Sequence, residues 1–202
     1  MMKDYALHYS YKEIGDVIIC IFNNEKKPNK IEQKGRVTVL YSNDEIIGYN
    51  IKDIKEIVKI RNEGMIFFPS KALIDVLNNI LINSGVPPLE YKIDSGYFIA
   101  QITNKEKVDD GEYLTLDCGG QIYNCVTKSK IVNVGDKVVI AKVGTHLNNG
   151  EVIKESAINN KTINTHVCTG VELGLLDVSD VLILEEDAIV GKDFFSMEER
   201  VL

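Results

Sequence analysis

This sequence lacks the features that mark several large classes of protein. No apolar run reaches about 18 residues, and no charged-then-apolar segment opens the chain, which argues against a membrane span and against secretion. No Cys-x-x-Cys pair and no His-x-x-x-His spacing is present, so we expect no metal site. We therefore expect a cytoplasmic protein that needs no cofactor.

Arginine is absent between residues 62 and 199. Bidentate guanidinium–phosphate contacts are therefore unavailable through most of the chain. The sequence also has no P-loop, no Gly-x-Ser-x-Gly motif and no dinucleotide-binding fingerprint. These absences favour a protein that is not an enzyme.

The chain has 202 residues, of which 45% are hydrophobic, and a net charge of −7. Residues 1–94 carry 13 basic and 13 acidic side chains, residues 95–176 carry 8 and 9, and residues 177–202 carry 2 and 8. The field of the whole protein would repel a polyanion. Any nucleic-acid partner must therefore bind a local patch of lysines, and DNA is not expected as a partner.

The first part of the chain predicts a small α+β domain over residues 1–88. "DVIICIF" (16–22) has the length of a buried strand, and "RVTVLYSNDEIIGYNI" (36–51) reads as a hairpin that turns at Ser-Asn-Asp-Glu. "SKALIDVLNNILINSG" (70–85) predicts a helix with Ser70 as N-cap and Gly85 as the C-terminal stop. "GVPP" (85–88) is the best candidate for a linker.

The second part, residues 89–202, predicts an all-β barrel or sandwich with an acidic C-terminal extension. Short strands separated by Gly and Asn turns are expected at 97–103, 113–118, 121–127, 137–143, 151–158, 165–169 and 181–185. A two-residue turn at Gly119-Gly120 would set Cys118 opposite Gln121 and place Cys125 on the inner face. The four cysteines are expected to be reduced and buried.

Three segments of the second part resemble the tRNA-binding domain of bacterial YtpR-type proteins. They read "YFIAQITNKEK", "GDKVVIAKVGTHLNNGEVIKES" and "VCTGVELGL". The same domain occurs in the phenylalanyl-tRNA synthetase β chain, and "GRVTVLYSNDEIIGYNI" resembles the extra domain that precedes it in YtpR-type proteins. The resemblance implies an oligonucleotide/oligosaccharide-binding (OB) fold that binds tRNA without catalysis.

The chain departs from this family in the loops that meet RNA. The family's His-Pro-Asn-Ala-Asp-Lys-Leu is replaced by "VDDGEYL" (108–114), its Cys-Gly-Ala by "TKS" (127–129), its Leu-Arg-Gly by "INN" (158–160) and its Ser-x-Gly-Met by "NTH" (164–166). The resemblance still implies contacts with RNA near these loops. The expected contact residues are Lys105, Lys107, Tyr113, Lys128, Ser129, Lys130, Asn160 and Lys161.

His166 and Cys168 lie two residues apart in "THVCTG". A Cys-His nucleophilic pair is one interpretation, but no third residue that would orient the histidine can be assigned. We expect His166 to lie at the rim or to pack half-buried, with stacking on RNA as a second interpretation. Cys168 is expected to point inward.

Two other functions remain open at this stage. The barrel could be a protein-interaction or dimerisation module that has lost RNA binding, for which the acidic segment 177–202 offers Leu182, Ile183 and Leu184. A hydrolase that uses His146 or His166 is the weaker alternative.

Overall fold

A computed structural model describes residues 4–60, 63–175 and 178–196. The chain divides into two compact units, and the boundary between them lies between Ile93 and Asp94. Strands and β-bridges make up 42% of the described residues. None of the described helices is both long enough and apolar enough to cross a membrane.

The first unit is a six-stranded antiparallel sheet in the order β3-β4-β5-β2-β1-β6. Its elements are β1 Ala6–Tyr9, α1 Tyr11–Ile14, β2 Val17–Ile21, β3 Lys30–Lys34, β4 Val37–Ser42, β5 Glu45–Lys52, β6 Gly64–Ile66 and α2 Lys71–Asn83. The predicted hairpin is confirmed as β4 and β5. Its turn residues Asn43 and Asp44 both have positive φ, as a type I′ turn requires.

Helix α2 follows the predicted pattern at both ends. The Ser70 side chain accepts a hydrogen bond from the backbone N–H of Leu73 at 3.2 Å, and Gly85 has a φ of +67° beyond the last turn. Leu73, Leu77 and Leu81 are buried along one stripe in the core of the first unit. Burial of this stripe against the sheet is what holds the helix in place.

The turn-rich segment that follows α2 packs onto the first unit. Val86 and Leu89 are 5% and 4% exposed and belong to the core of that unit. The Tyr5 hydroxyl donates to the Glu90 carbonyl at 2.7 Å. "GVPP" is therefore part of the first unit and not a linker, because Val86 within it and Leu89 directly after it belong to the core of that unit.

The second unit is built on a five-stranded path in the order β13-β10-β7-β8-β9, with β14 also paired to β10 and a separate β11–β12 hairpin. Its strands are β7 Tyr97–Val108, β8 Gly111–Cys118, β9 Gln121–Thr127, β10 Lys137–Lys142, β11 Ser156–Ile158, β12 Lys161–Ile163, β13 Thr165–Val167 and β14 Ile183–Leu184. The strand predicted over 151–158 is wrong in extent, since only its last three residues form β11, and β12 was not expected.

The register predicted for β8 and β9 is confirmed. Cys118 pairs with Gln121, Leu116 with Tyr123, and Leu114 with Cys125. The turn residues Gly119 and Gly120 both have positive φ. The side chains of Leu114, Leu116, Cys118 and Cys125 belong to the buried core, and Tyr123 packs against it.

Strand pairing does not close this sheet into a barrel within the described residues. No ladder joins β9 to β13, the two strands at the ends of the path. Two hydrogen bonds nevertheless join β9 to the residue between β12 and β13. The backbone N–H of Asn164 donates to the Asn124 carbonyl at 3.0 Å, and the backbone N–H of Asn124 donates to Oδ1 of Asn164 at 2.8 Å.

The described part of the acidic C-terminal segment, residues 178–196, folds back onto the second unit. The N–H of Ile99 donates to the Lys192 carbonyl at 2.9 Å, and the N–H of Gly191 donates to the Ile99 carbonyl at 2.8 Å. The Asp193 carboxylate accepts from the backbone and the hydroxyl of Ser95, both at 2.6 Å. These residues thus pair alongside the N-terminal part of β7.

Candidate nucleic-acid interface

Three of the segments in which the family resemblance places RNA contacts, 108–114, 127–129 and 158–160, lie near one another at one end of the second sheet, whereas 164–166 runs into β13 beside β10. Cross-strand pairs set Glu106 opposite Tyr113 and Lys107 opposite Glu112. The hydroxyl of Tyr113 donates to the Thr162 carbonyl at 3.1 Å, which joins the β11–β12 hairpin to β8. We call the five lysines of this region the lysine rim: Lys105, Lys107, Lys128, Lys130 and Lys161.

The β11–β12 hairpin presents its tip through a two-residue turn. Asn159 and Asn160 have φ of 49° and 62°, which is the left-handed backbone that a type I′ turn needs and that asparagine tolerates best after glycine. Ile158 pairs with Lys161 across the turn. Asn160 is consequently exposed at the tip, next to a lysine whose position the turn fixes.

Two lysines of the rim are bound to acids of the β7–β8 hairpin. The Lys161 ammonium forms an ion pair with Glu106 and also lies over the Tyr113 ring, 4.6 Å from its centroid. The Lys128 ammonium lies 3.1 Å from the Asp110 carboxylate. Both pairs are substantially exposed, so each stabilises the fold only weakly.

Tyr113 is 7% exposed, with its hydroxyl bonded and one region of its ring covered by Lys161. In this arrangement the ring is not available for stacking on a base. Its position supports the hairpin that carries Asn160 and Lys161.

The remaining predicted contact residues lie at different depths. Lys105 is half-buried, and its ammonium donates to the Val132 carbonyl at 2.7 Å. The backbone N–H of Ser129 donates to Oγ1 of Thr127 at 3.2 Å, and the hydroxyl oxygen of Ser129 is buried. Lys107 and Lys130 are exposed to solvent.

Two features of the rim were not identified from the sequence, namely the acids Glu106 and Asp110 as partners of its lysines. The interleaving of Lys and Glu in "NKEKVDD" is the only available signal.

A contact between a lysine and two aromatic rings, outside the lysine rim, joins β7, β9 and β10. There the Lys142 ammonium is 3.4 Å from the Phe98 ring centroid and 5.6 Å from that of Tyr123. Both aromatic rings therefore already contact a cation of the protein.

His166 and Cys168 are not arranged as a nucleophile and its base. Cys168 is fully buried, and burial raises the pKa of its thiol well above 9.0. Its Sγ lies 4.0 Å from the carbonyl oxygen of His166. The His166 imidazole instead places Nε2 at 3.0–3.1 Å from both carboxylate oxygens of Glu172. The half-buried packing role expected for His166 agrees with this geometry.

Glu172 and Thr169 form reciprocal hydrogen bonds of the capping-box type, with Thr169 one residue before Gly170, the N-cap of the 3-10 helix Val171–Leu173. The N–H of Glu172 donates to Oγ1 of Thr169 at 3.3 Å, and the N–H of Thr169 donates to Oε2 of Glu172 at 2.7 Å. Burial alone would raise the pKa of the Glu172 carboxyl, but the hydrogen bonds of His166 and Thr169 outweigh it and lower the pKa from 4.5. The Glu172 carboxylate is thus ionised in the fold, where it holds His166 and Thr169 in place.

The described residues contain no group of three or more His, Cys, Asp or Glu side chains placed to hold a metal ion. All four cysteines are free and buried, as expected.

Similar proteins match both parts of the chain. The sequence is 26% identical over 196 residues to YtpR of Bacillus subtilis (strain 168), a protein provisionally named as tRNA-binding, and the match covers 92% of this chain and 97% of that protein. This chain is YtpR-like along almost its whole length. The family resemblance is therefore confirmed.

Shorter matches extend the similarity beyond YtpR. A domain of unknown function, DUF4479, matches residues 24–91. The phenylalanine–tRNA ligase β subunit of Thermotoga maritima is 34% identical over 91 residues, which cover 43% of this chain and 12% of that protein. The same subunit from Idiomarina loihiensis is 36% identical over 95 residues, covering 46% of this chain and 11% of that protein.

Proposed function

We propose that this YtpR-like chain binds tRNA without catalysing a reaction on it, and that the second unit carries the binding surface. The observation that carries the proposal is the similarity to YtpR over 92% of the chain. The shorter similarity to phenylalanine–tRNA ligase β subunits supports it. Both kinds of relative are named for tRNA.

The lysine rim supports recognition of the RNA backbone. Lysine ammonium groups act as point charges toward phosphates and carry no information about base sequence. Asn160, exposed at the hairpin tip, adds an amide that can bond to sugar or phosphate oxygens. We therefore infer recognition of tRNA by shape and backbone.

We infer that the second unit is an OB-type barrel. Its five-stranded path carries a hairpin near its end, and the hydrogen bonds between Asn124 and Asn164 bring that end toward β13. OB folds are partly open five-stranded barrels that bind oligonucleotides across strands and loops. The first unit is then an α+β domain that precedes it in the sequence.

The charges of the rim set the expected affinity. Five lysines of the rim lie among four acids of the β7–β8 hairpin, Glu106, Asp109, Asp110 and Glu112. The local excess of positive charge is small, so we expect micromolar or weaker binding that falls steeply with salt. Each phosphate contact contributes about 0.9 to the log–log salt slope on a duplex and about 0.7 on a single strand.

Filter binding of bulk tRNA tests this function. Binding is measured at about 50 mM and about 200 mM salt, a range over which phosphate contacts with lysine weaken strongly. We expect measurable binding at the lower concentration and loss at the higher one. Tight binding that persists at high salt would require contacts other than the lysine rim. Absence of binding even at low salt would favour the alternative, a protein-interaction or homodimerisation module, which sedimentation of the same sample would then reveal.

A further inference from the structure

Acids of the β7–β8 hairpin partly neutralise the lysine rim. Lys161, on β12, is bound by Glu106 of β7, and Lys128, just after β9, is bound by Asp110 in the β7–β8 turn. In both cases the acid comes from the β7–β8 hairpin and the lysine from a segment expected to contact RNA. The repetition of this arrangement at two separate lysines makes it a property of the rim.

Glu106 is held in place as well as charged. One carboxylate oxygen accepts from the Asn104 side-chain amide at 3.0 Å, and the other accepts from Lys161. The hydrogen bond and the charge of Lys161 lower the pKa of the Glu106 carboxyl from 4.5. Glu106 therefore stays ionised at neutral pH.

We propose that Glu106 and Asp110 limit the RNA affinity of the rim by occupying Lys161 and Lys128 until phosphates displace them. This inference rests on the proposed tRNA-binding function and adds an affinity-setting element to the same surface. A phosphate that contacts Lys161 must break its ion pair and then leaves the Glu106 carboxylate beside the RNA. RNA binding therefore costs the ion pair between Lys161 and Glu106. Repulsion between the freed carboxylate and the RNA then offsets part of the attraction between Lys161 and the phosphate.

Such a rim favours ligands with closely spaced phosphates. A ligand with one phosphate replaces one carboxylate at one lysine and gains little. A folded RNA can place several phosphates at the rim together, so that the later contacts form within an existing complex and at high effective concentration. The two acids thus raise the phosphate density that a ligand must present before it binds.

The test measures tRNA affinity and its salt slope for the full-length chain carrying Glu106→Gln or Asp110→Asn. We expect binding to tighten about two- to fivefold for each change, the range that corresponds to an exposed ion pair. The salt slope should steepen by up to about 0.9, because the carboxylate that the phosphate would displace, and that would then recruit a cation, has been removed. Asp109→Asn is the matched control, since Asp109 adjoins Asp110 and shows no ion pair within the described residues.

A double-mutant cycle identifies the lysine through which Glu106 acts. In a Lys161→Ala background, Glu106→Gln should tighten binding no more than Asp109→Asn does. If Glu106→Gln and Asp110→Asn match Asp109→Asn in the wild-type background while tRNA still binds, the inference is overturned and the proposed function stands. If neither the wild type nor the Glu106→Gln/Asp110→Asn variant binds tRNA at low salt, the proposed function fails together with it.

Discussion

The Tyr113 hydroxyl donates to the carbonyl of Thr162 at 3.1 Å, across 49 residues of sequence. This bond joins β8 to the hairpin whose tip carries Asn160 and Lys161. Tyr113 therefore supports the hairpin and is itself buried.

Tyr113→Phe should remove this hydrogen bond while keeping the buried ring. We expect a loss of about 0.5–1.5 kcal/mol in the free energy of unfolding, toward the lower end because Thr162 is exposed and water can replace the donor. Urea denaturation gives the value. Unchanged stability would show that the hairpin is held by other contacts.

The β8–β9 register and this bond differ in how far the sequence can predict them. Gly119-Gly120 is a local signal, since a two-residue turn fixes every pair that follows it. The burial of Tyr113 depends on a hairpin that is distant in the sequence, and nothing in "VDDGEYL" shows that this hairpin covers it. The sequence therefore predicts which segments meet at the rim but not which of their side chains remain accessible.

The ion pairs of the rim were unpredictable for a related reason. Charge counts give the near balance of lysines and acids, yet pairing depends on which side chains the hairpins bring within about 4 Å of each other. The edge strands β3 and β6 of the first unit, and β1 between β2 and β6, were also missed. They are short, and their pairing partners are set by the whole sheet and not by a local pattern.

Ser70 is the N-cap of α2, and its side chain accepts from the Leu73 N–H. Ser70→Ala should lower the free energy of unfolding by about 0.5–2 kcal/mol because this donor loses its partner. Ser84→Ala is the matched control on the same helix, since Ser84 closes the C-terminus through its backbone N–H, which donates to Ile80 at 3.0 Å. Equal effects from the two changes in thermal or urea unfolding would contradict the capping role.

Cys168 is fully buried, and its removal tests the packing role directly. Cys168→Ala should cost about 1–2 kcal/mol through lost burial, whereas Cys168→Ser should leave tRNA binding unchanged once the fraction of folded protein is taken into account. Urea unfolding and filter binding measure the two effects. Loss of a hydrolytic activity on either change would restore the Cys-His interpretation.

Alkaline pH should destabilise the protein through its buried thiols. Burial raises the pKa of Cys125 from 9.0 to about 12. Between these values the unfolded chain releases a proton that the folded chain keeps. The free energy of unfolding then falls by about 1.4 kcal/mol per pH unit for this group. The stabilising contribution is full below about 9 and is lost as the pH rises.

Cys125→Ala isolates this contribution, because all other alkaline titrations are shared with the wild type. The difference in unfolding free energy between the two proteins should shrink as the pH rises from about 9. Parallel pH profiles would indicate that the Cys125 thiol titrates normally in the fold.

Glu172 should act at the opposite end of the pH scale. Its folded pKa is lowered from 4.5 by the bonds from His166 and Thr169 in spite of burial. Its contribution to stability is therefore present above about 4.5 and is lost as the pH falls below that value. The Glu172→Gln variant should have a lower free energy of unfolding than the wild type at neutral pH, and this difference should become smaller on acidification. If the difference stays constant between about pH 6 and about pH 3, Glu172 does not contribute to stability through its charge.

The most direct test of the central claim is tRNA binding at low salt by the Lys128→Glu/Lys161→Glu variant. We expect this variant to lose binding and to remain folded, because neither ammonium is fully buried. The matched control is Lys12→Glu/Lys55→Glu, an equal charge change in the first unit, which should retain most of the binding. If the control pair proves the more damaging, or if both pairs bind as the wild type does, the lysine rim is not the RNA-binding surface.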